Sequence, residues 1–429
     1  MKLLLFPTEV SFMIEEIVTF VMILISQKMN DYIERPLYIN RIKPFIGKSL
    51  IKVLVGQRRV GKSFLLMQIR DLIKIQSPET QIIYINKEQY EFSEIKNSDD
   101  LFLYLNQNVI KDKKVALFID EIQDIENFEI TLRDLATRGN YDIYCTGSNA
   151  NLLSSELATF LSGRYIEIKV FGLSYKEFLL FYQLEDNVSS FQTYLKFGGL
   201  PYLINLNTEL EVAYEYLKSI YNTILLKDVV TRFKVRNIKF LENLIAFIAD
   251  NIGSVVSSKK ISDYLKSQKV NISTQVVIDY LGYLEASFLI FKVKRTGIEG
   301  KKIFEIGEKY FFEDIGIRNA IVGYKVNDIH KVLENIVYLH LRIAGYSVTV
   351  GIEDEREIDF IAQKSGEKIY VQVAYLLSNE GTIKREFGNL LTIQDNFPKY
   401  VVTMDETSET STYQGINRMH VKDFCSSLV

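Results

Sequence analysis

The chain has 429 residues, 47% of them hydrophobic, and a formal net charge of −3. That length exceeds one ordinary core and implies about two to four domains; the charge balance excludes a uniformly basic nucleic-acid binder, so any such surface must be local. Two cysteines, Cys145 and Cys425, and three histidines exclude a disulfide framework, form no zinc-ligand spacing, and fit a reducing cytoplasm.

Near the N-terminus, Ile17–Ile25 is apolar apart from Thr19 but follows Glu15-Glu16. It is far shorter than the roughly 20 residues that span a bilayer, and it lacks the ordered parts of a secretory signal. Residues 1–28 read as a loosely attached extension or an upstream start-site artefact ahead of Met29, and no membrane role is expected.

Residues 56–63 read Gly-Gln-Arg-Arg-Val-Gly-Lys-Ser, a full G-x-x-x-x-G-K-[ST] match between an apolar run (Ile51–Val55) and a helix-like stretch (Phe64–Ile73). The strand–loop–helix setting predicts a phosphate-binding loop made of Gly56, Gln57, Arg58, Arg59, Val60, Gly61, Lys62, Ser63 and Phe64. Its backbone N–H groups and the following helix N-terminus would cradle a polyphosphate. Lys62 would reach the β- and γ-phosphates, and the Ser63 hydroxyl would ligate Mg²⁺.

Further along, Ile82–Ile85, Val115–Ile119, Ile143–Cys145 and Ile166–Val170 read as strands separated by helical stretches. The expected fold is α/β: a P-loop NTPase parallel sheet with a helical lid, a winged-helix module and a C-terminal PD-(D/E)xK-like α/β domain. Asp120 and Glu121 follow the fully apolar Val115–Ile119 run. That position suits Asp120 to Mg²⁺ and Glu121 to deprotonating an attacking water, which favours hydrolysis over small-molecule phosphorylation. Ser148 and Asn149, at the end of another strand, are candidates for contact with that water or the γ-phosphate. Arg164, just before a strand, is a candidate phosphate-directed arginine or a solvated one. Leu161-Ser162-Gly163-Arg164 superficially matches an ABC-transporter signature loop, but it follows the carboxylate pair and lacks a completing Gly-Gln.

These motifs, with Phe118–Gln123, Thr146–Ala150, Ser162–Tyr165, Phe197-Gly198-Gly199-Leu200-Pro201, Leu226–Val230, Leu333-Glu334-Asn335, Glu357–Phe360 and Tyr370–Val373, make the chain resemble one prokaryotic family. It is the AAA+-type ATPases carrying a C-terminal domain of unknown function, DUF4143. The resemblance runs from about Tyr32 to the end. It implies ATP rather than GTP, Asp120 and Glu121 as the Mg²⁺ and water residues, and Ser148-Asn149 at the sensor position. It also implies a phosphate-facing Arg164, acting in cis or in trans. The Gln57-Arg58-Arg59 filling departs from the Gly-Pro-Pro-Gly-Thr of hexameric unfoldases, which favours a switch or a small homo-oligomer over ring-driven threading.

Beyond the core, Leu173–Tyr182 and Ala213–Phe233 have helical spacing, and residues 173–235 read as the lid of a nucleotide domain at 48–172, with a lead-in over 1–47. Residues 236–310 read as three helices and a hairpin formed by Leu289–Val293 and Lys302–Ile306, with Ser273–Ser287 in the recognition-helix place. Lys259, Lys260, Lys292, Lys294, Arg295, Lys301 and Lys302 make this module locally basic, while Asp279 and Glu285 oppose that on the recognition helix. DNA phosphates and a protein partner are both open readings.

Residues 311–429 follow a helix, hairpin, helix, strand order that resembles the restriction-endonuclease-like fold. Glu334 and Asp359 fit two acidic positions of a metal site, but Gln372-Val373-Ala374 stands where E-x-K is needed. The expectation is a degenerate site at Glu334, Asp359 and Gln372, with a DNA-cleaving nuclease as the rival.

Overall fold

The computed structural model describes residues 32–150, 163–206, 210–267, 270–297, 307–353, 356–405 and 411–429. The expected N-terminal extension, Leu161-Ser162 and the Lys301–Ile306 part of the wing lie outside them.

Five strands form the first sheet: β1 (Ile51–Val55), β2 (Gln81–Asn86), β3 (Val115–Asp120), β4 (Tyr141–Gly147) and β5 (Tyr165–Lys169). Their order is β2-β3-β4-β1-β5, and every pairing is parallel. Parallel pairing demands crossovers and cover on both faces, which explains the nearly unbroken apolar run of β3. β1 has one polar exception. Lys52 is fully buried, with its ammonium on the Lys48 carbonyl and the Asp142 carboxylate.

A second, mixed sheet has seven strands in the order β13-β14-β12-β11-β10-β9-β7. It comprises β7 (Arg295–Gly297), β9 (Ser347–Glu353), β10 (Arg356–Lys364), β11 (Glu367–Val373), β12 (Lys399–Thr403), β13 (Ser411–Tyr413) and β14 (Ile416–His420). Helix Ile329–Ile343 packs against it, its face built from Val332, Leu333, Ile336, Val337 and Leu341, all buried. Between the sheets, β6 (Ile290–Val293) pairs antiparallel with β8 (Lys309–Phe312).

Two expectations on the second half need correction. The partner of Ile290–Val293 is Lys309–Phe312, and the intervening Arg295–Gly297 leaves to run parallel to β9. The aromatic Tyr310-Phe311-Phe312 run is buried against this region, which suits it to pairing. Consequently the boundary expected between residues 310 and 311 falls inside a strand. One apolar cluster extends from Tyr38 through Leu217 and Phe311 to Cys425, so the two sheets share a core.

The continuous helix expected over Ala213–Phe233 changes character midway. Leu210–Thr223 is α-helical, and Ile224–Thr231 is a π-helical segment. Among the described residues no helix is long and apolar enough to cross a membrane, and both cysteines are buried and free.

Candidate nucleotide site

The phosphate-loop residues leave the carboxyl end of β1 and enter helix Lys62–Gln76. Gly56 is required by packing: a Cβ there would lie 2.1 Å from the Val170 carbonyl oxygen, beyond the end of β5. Gly61 is required by conformation, with φ of 94°. Arg59 takes a φ of 68° without glycine's freedom, so the loop carries local strain.

Lys62 is buried, and its ammonium donates to the carbonyls of Gly56 (2.9 Å) and Gln57 (2.8 Å). Burial lowers its pKa, opposed by the facing Glu121 and Asp120 carboxylates. The Tyr84 hydroxyl reaches Asp120, and the Ser63 and Thr146 hydroxyls hydrogen-bond it as well. Burial holds the Asp120 carboxyl above its ordinary value against the latter two hydrogen bonds.

Glu121 lies just past the end of β3 with φ of 56°, and its N–H donates to Thr146 Oγ1 at 2.8 Å. Its carboxylate accepts from Gln123 Nε2 and is bonded to Ser148. Burial alone would raise its pKa; Lys62, Gln123, Arg58 and Ser148 together bring it below the ordinary value. Gln123, which sequence reasoning passed over, also reaches Ser148 Oγ at 3.4 Å. Lys62, Ser63, Asp120, Glu121 and Ser148 thus converge at the carboxyl ends of β1, β3 and β4, and Asn149 is half-buried immediately beyond.

Arg164 is not part of this convergence. It is exposed, and its carbonyl accepts from the N–H of Ile51, at the amino end of β1 and β5. Parallel pairing makes the phosphate loop leave the opposite edge, about 13 Å away along the strand. Action of Arg164 on a phosphate in its own chain is therefore excluded. The sequence step Gly163-Arg164 marks the start of a strand, which in a parallel sheet is the edge opposite the phosphate loop.

The converging residues open onto a cavity of about 620 Å³, within the range of small-molecule sites. Arg58, Lys62, Ser63 and Glu121 line its polar part; Ile33, Phe181, Pro201 and Tyr202 line the remainder. Pro201 brings the Phe197–Pro201 motif to the cavity. Gly198 and Gly199 there wrap Asp314, which accepts the Gly199 N–H at 2.8 Å, and a Cβ on Gly198 would meet that carboxylate at 2.5 Å.

Two buried charges support the loop from outside it: Arg35, which belongs to no quoted motif, and Asp228, which sits within Leu226–Val230. Arg35 forks onto Glu177 (2.7 and 2.9 Å) and also donates to the carbonyls of Val60 (2.8 Å), Phe171 (3.0 Å) and Gly172 (3.1 Å). Asp228, fully buried, accepts from Arg58 at 2.6 and 3.0 Å. Gln57 points away from the cavity and donates to the Phe288 carbonyl at 3.2 Å. Phe64 is half-exposed at the cavity wall.

Glu334, Asp359 and Gln372 lie around a residue that sequence reasoning missed. Lys309, buried on β8, places its ammonium 3.4 Å from Glu334, 2.8 Å from Glu357 and 3.6 Å from Asp359. Gln372 is engaged as well: its oxygen accepts the Asp359 N–H at 3.3 Å and its amide donates to Glu386 at 3.0 Å. Among the described residues no group of three or more His, Cys, Asp or Glu is arranged to hold a metal. An internal ammonium, not an open cation position, compensates these carboxylates.

Burial and then Asp359 push the Glu334 carboxyl up to about 8, Lys309 opposing. A raised carboxyl pKa in the folded state means stability is fully present at low pH and is lost as pH rises through the folded value. Denaturant midpoints are therefore expected to fall as pH climbs toward that value, and to fall less in Glu334→Gln. Lys309→Met, which strands the carboxylates, is expected to cost about 3–5 kcal/mol in the same assay.

Comparison with known proteins agrees with the first half of this geometry. Residues 48–179 match the family described as "AAA domain", so the core is an AAA-type P-loop domain. Residues 188–328 match a "Domain of unknown function (DUF8612)". Phe197–Pro201 and Leu226–Val230, quoted for the family resemblance, fall inside this DUF8612 match and not in a DUF4143 one. An uncharacterized protein of Haemophilus influenzae is 39% identical over 91% of this chain and 98% of its own length. The uncharacterized protein MJ1544 of Methanocaldococcus jannaschii is 31% identical over 78% of this chain and 77% of its own. The chain belongs to the family that these two proteins represent. Among solved structures, AMPPCP-bound DnaA from Aquifex aeolicus is 16% identical, covering 59% of this chain and 89% of that one, with a TM-score of 0.32. A score that low carries no functional argument.

Proposed function

We propose that this protein is a cytoplasmic, Mg²⁺-dependent ATPase whose nucleotide state repositions its second half on a partner. One observation carries the reading: Lys62, Ser63 and Glu121 line a cavity of nucleotide size at one end of a parallel sheet, with Asp120 bonded to Ser63 beside it. Ser63 and Asp120 are already hydrogen-bonded to each other, a hard-oxygen pair suited to Mg²⁺. Bound there, the ion would neutralise phosphate charge. The chain's own residues supply the rest. Lys62 and the loop N–H groups hold the β- and γ-phosphates; Glu121, kept ionised and oriented by Ser148 and Gln123, takes a proton from water.

In this reading residues 173–235 serve as the lid. The winged-helix-like stretch and the restriction-endonuclease-like fold of the last third serve as output surfaces. Three intramolecular contacts support a protein partner over DNA. Lys292 lies 3.8 Å from Glu285 and 3.5 Å from Glu308, and Arg295 lies 3.6 Å from Glu357. The basic character expected there is thus partly spent internally. Nuclease chemistry is not assigned, because Lys309 already compensates the Glu334–Asp359 cluster. Arg164, exposed at the far edge, remains available only to a neighbouring subunit.

Equilibrium binding of labelled ATP with Mg²⁺ tests the reading. Wild type should bind, and Lys62→Ala should lose at least about a hundredfold in affinity. No binding by wild type would end it. Turnover unchanged by duplex or single-stranded DNA is expected for a protein-directed switch.

A further inference from the structure

We propose that Arg58 senses the γ-phosphate, and that Asp228 is the partner it releases, so that segment Ile224–Thr231 reports the nucleotide state to the second half. This rests on the nucleotide-binding reading above.

Arg58 is the third residue of the loop, and its guanidinium lines the same cavity as Lys62 and Glu121. Its fork is filled by Asp228 at 2.6 and 3.0 Å, with Glu88 a looser neighbour at 3.7 Å. A phosphate oxygen and a carboxylate compete for that fork on equal chemical terms. A triphosphate reaches one phosphate further toward Glu121 than a diphosphate, so only the triphosphate competes.

Release of Asp228 would ordinarily strand a fully buried carboxylate. Here a replacement stands ready. Arg232 Nη2 is 3.4 Å from Asp228 Oδ1, and Arg232 Nη1 is buried with no hydrogen-bond partner among the described residues. Moving Asp228 from Arg58 to Arg232 therefore keeps one salt bridge and satisfies an orphaned donor.

The segment carrying Asp228 is suited to such a shift. It is an eight-residue π-helical stretch, an arrangement that is rare and concentrated at functional sites. Thr231 Oγ1 donates to the Leu226 carbonyl at 2.8 Å within it. Lys227, next to Asp228, lies 3.8 Å from Asp124, on the turn that follows Glu121. One segment thus contacts both the loop that holds phosphate and the turn behind the water-activating carboxylate. Residues 232–237 connect it to helix Ile238–Asp250 of the second half.

Hydrogen–deuterium exchange on the full chain tests this, with Mg²⁺ and either ADP or a non-hydrolysable ATP analogue. Amides of residues 224–231 should change exchange rate with the analogue by about tenfold or more and stay at their nucleotide-free rate with ADP. Arg58→Ala should remove that response and cut the ratio of analogue to ADP affinity about tenfold. Asp228→Asn should show the altered exchange without nucleotide. Identical responses to both nucleotides in wild type, or equal loss of both affinities in Arg58→Ala, would overturn the proposal while leaving nucleotide binding intact. Should Asp228→Asn fail to fold, the wild-type exchange comparison still decides. Wild type binding neither nucleotide would instead overturn the parent reading, and this one with it.

Discussion

Glu121→Gln is expected to lower steady-state ATP hydrolysis by about 10²–10⁴-fold while leaving ATP binding in place. The substitution keeps size and hydrogen bonding but removes the proton acceptor. Its effect should be large because the surroundings spend so much on that carboxylate. Glu121 takes a left-handed backbone conformation unusual for its type, and its N–H is fixed by Thr146. Gln123 and Ser148 then hold the carboxylate, and Lys62 and Arg58 favour its charge over the cost of burial. A base held below the ordinary glutamate range is ionised throughout neutral pH. The rate should thus be flat there and fall only in acid, below where a free glutamate would titrate. A phosphate-release assay beside a binding titration checks both parts. Equal turnover by wild type and Glu121→Gln would remove hydrolysis at this site and leave a nucleotide-binding switch.

Arg35→Ala is expected to cost about 3–5 kcal/mol of stability, read from the denaturant midpoint, and to weaken nucleotide binding as well. The guanidinium holds Val60 of the phosphate loop, the Phe171-Gly172 backbone beyond β5, and Glu177 in one buried network. Truncation leaves Glu177 buried and unpaired. Lysine at position 35 should recover only part of the loss, since one ammonium cannot reproduce a fork to a carboxylate and three carbonyl contacts. Burial would raise the Glu177 pKa, but Arg35 and Ser174 bring it below the ordinary value. The depressed folded-state value means the pair stabilises above the unfolded pKa and stops doing so as pH falls through the folded one. The gap between wild type and Arg35→Ala should therefore close in acid. A gap that persists unchanged would assign the loss to packing alone.

What could be read from the chain and what could not divide along a physical line. Val115–Ile119 declared itself because a doubly covered parallel strand must be apolar, and Asp120-Glu121 because two carboxylates can follow such a run only at the strand's tip. The helix, hairpin, helix, strand order of the last third was also legible, and Ile329–Ile343, Ser347–Glu353, Arg356–Lys364, Glu367–Val373, Glu380–Leu391 and Lys399–Thr403 fill it. Pairing partners were not legible. That Lys309–Phe312 pairs with Ile290–Val293 depends on burial against the shared core.

The amino-acid sequence by itself determined the phosphate loop, the carboxylate pair and the alternating α/β order, because each is encoded in spacing over a few residues. Only the tertiary structure decided that Arg35 and Asp228 grip the loop and that Lys309 fills the acidic cluster. Those contacts join residues 25 to 170 positions apart. A buried charge leaves no periodic trace of the partner that makes its burial tolerable; the partner is found only when the chain has folded back upon it.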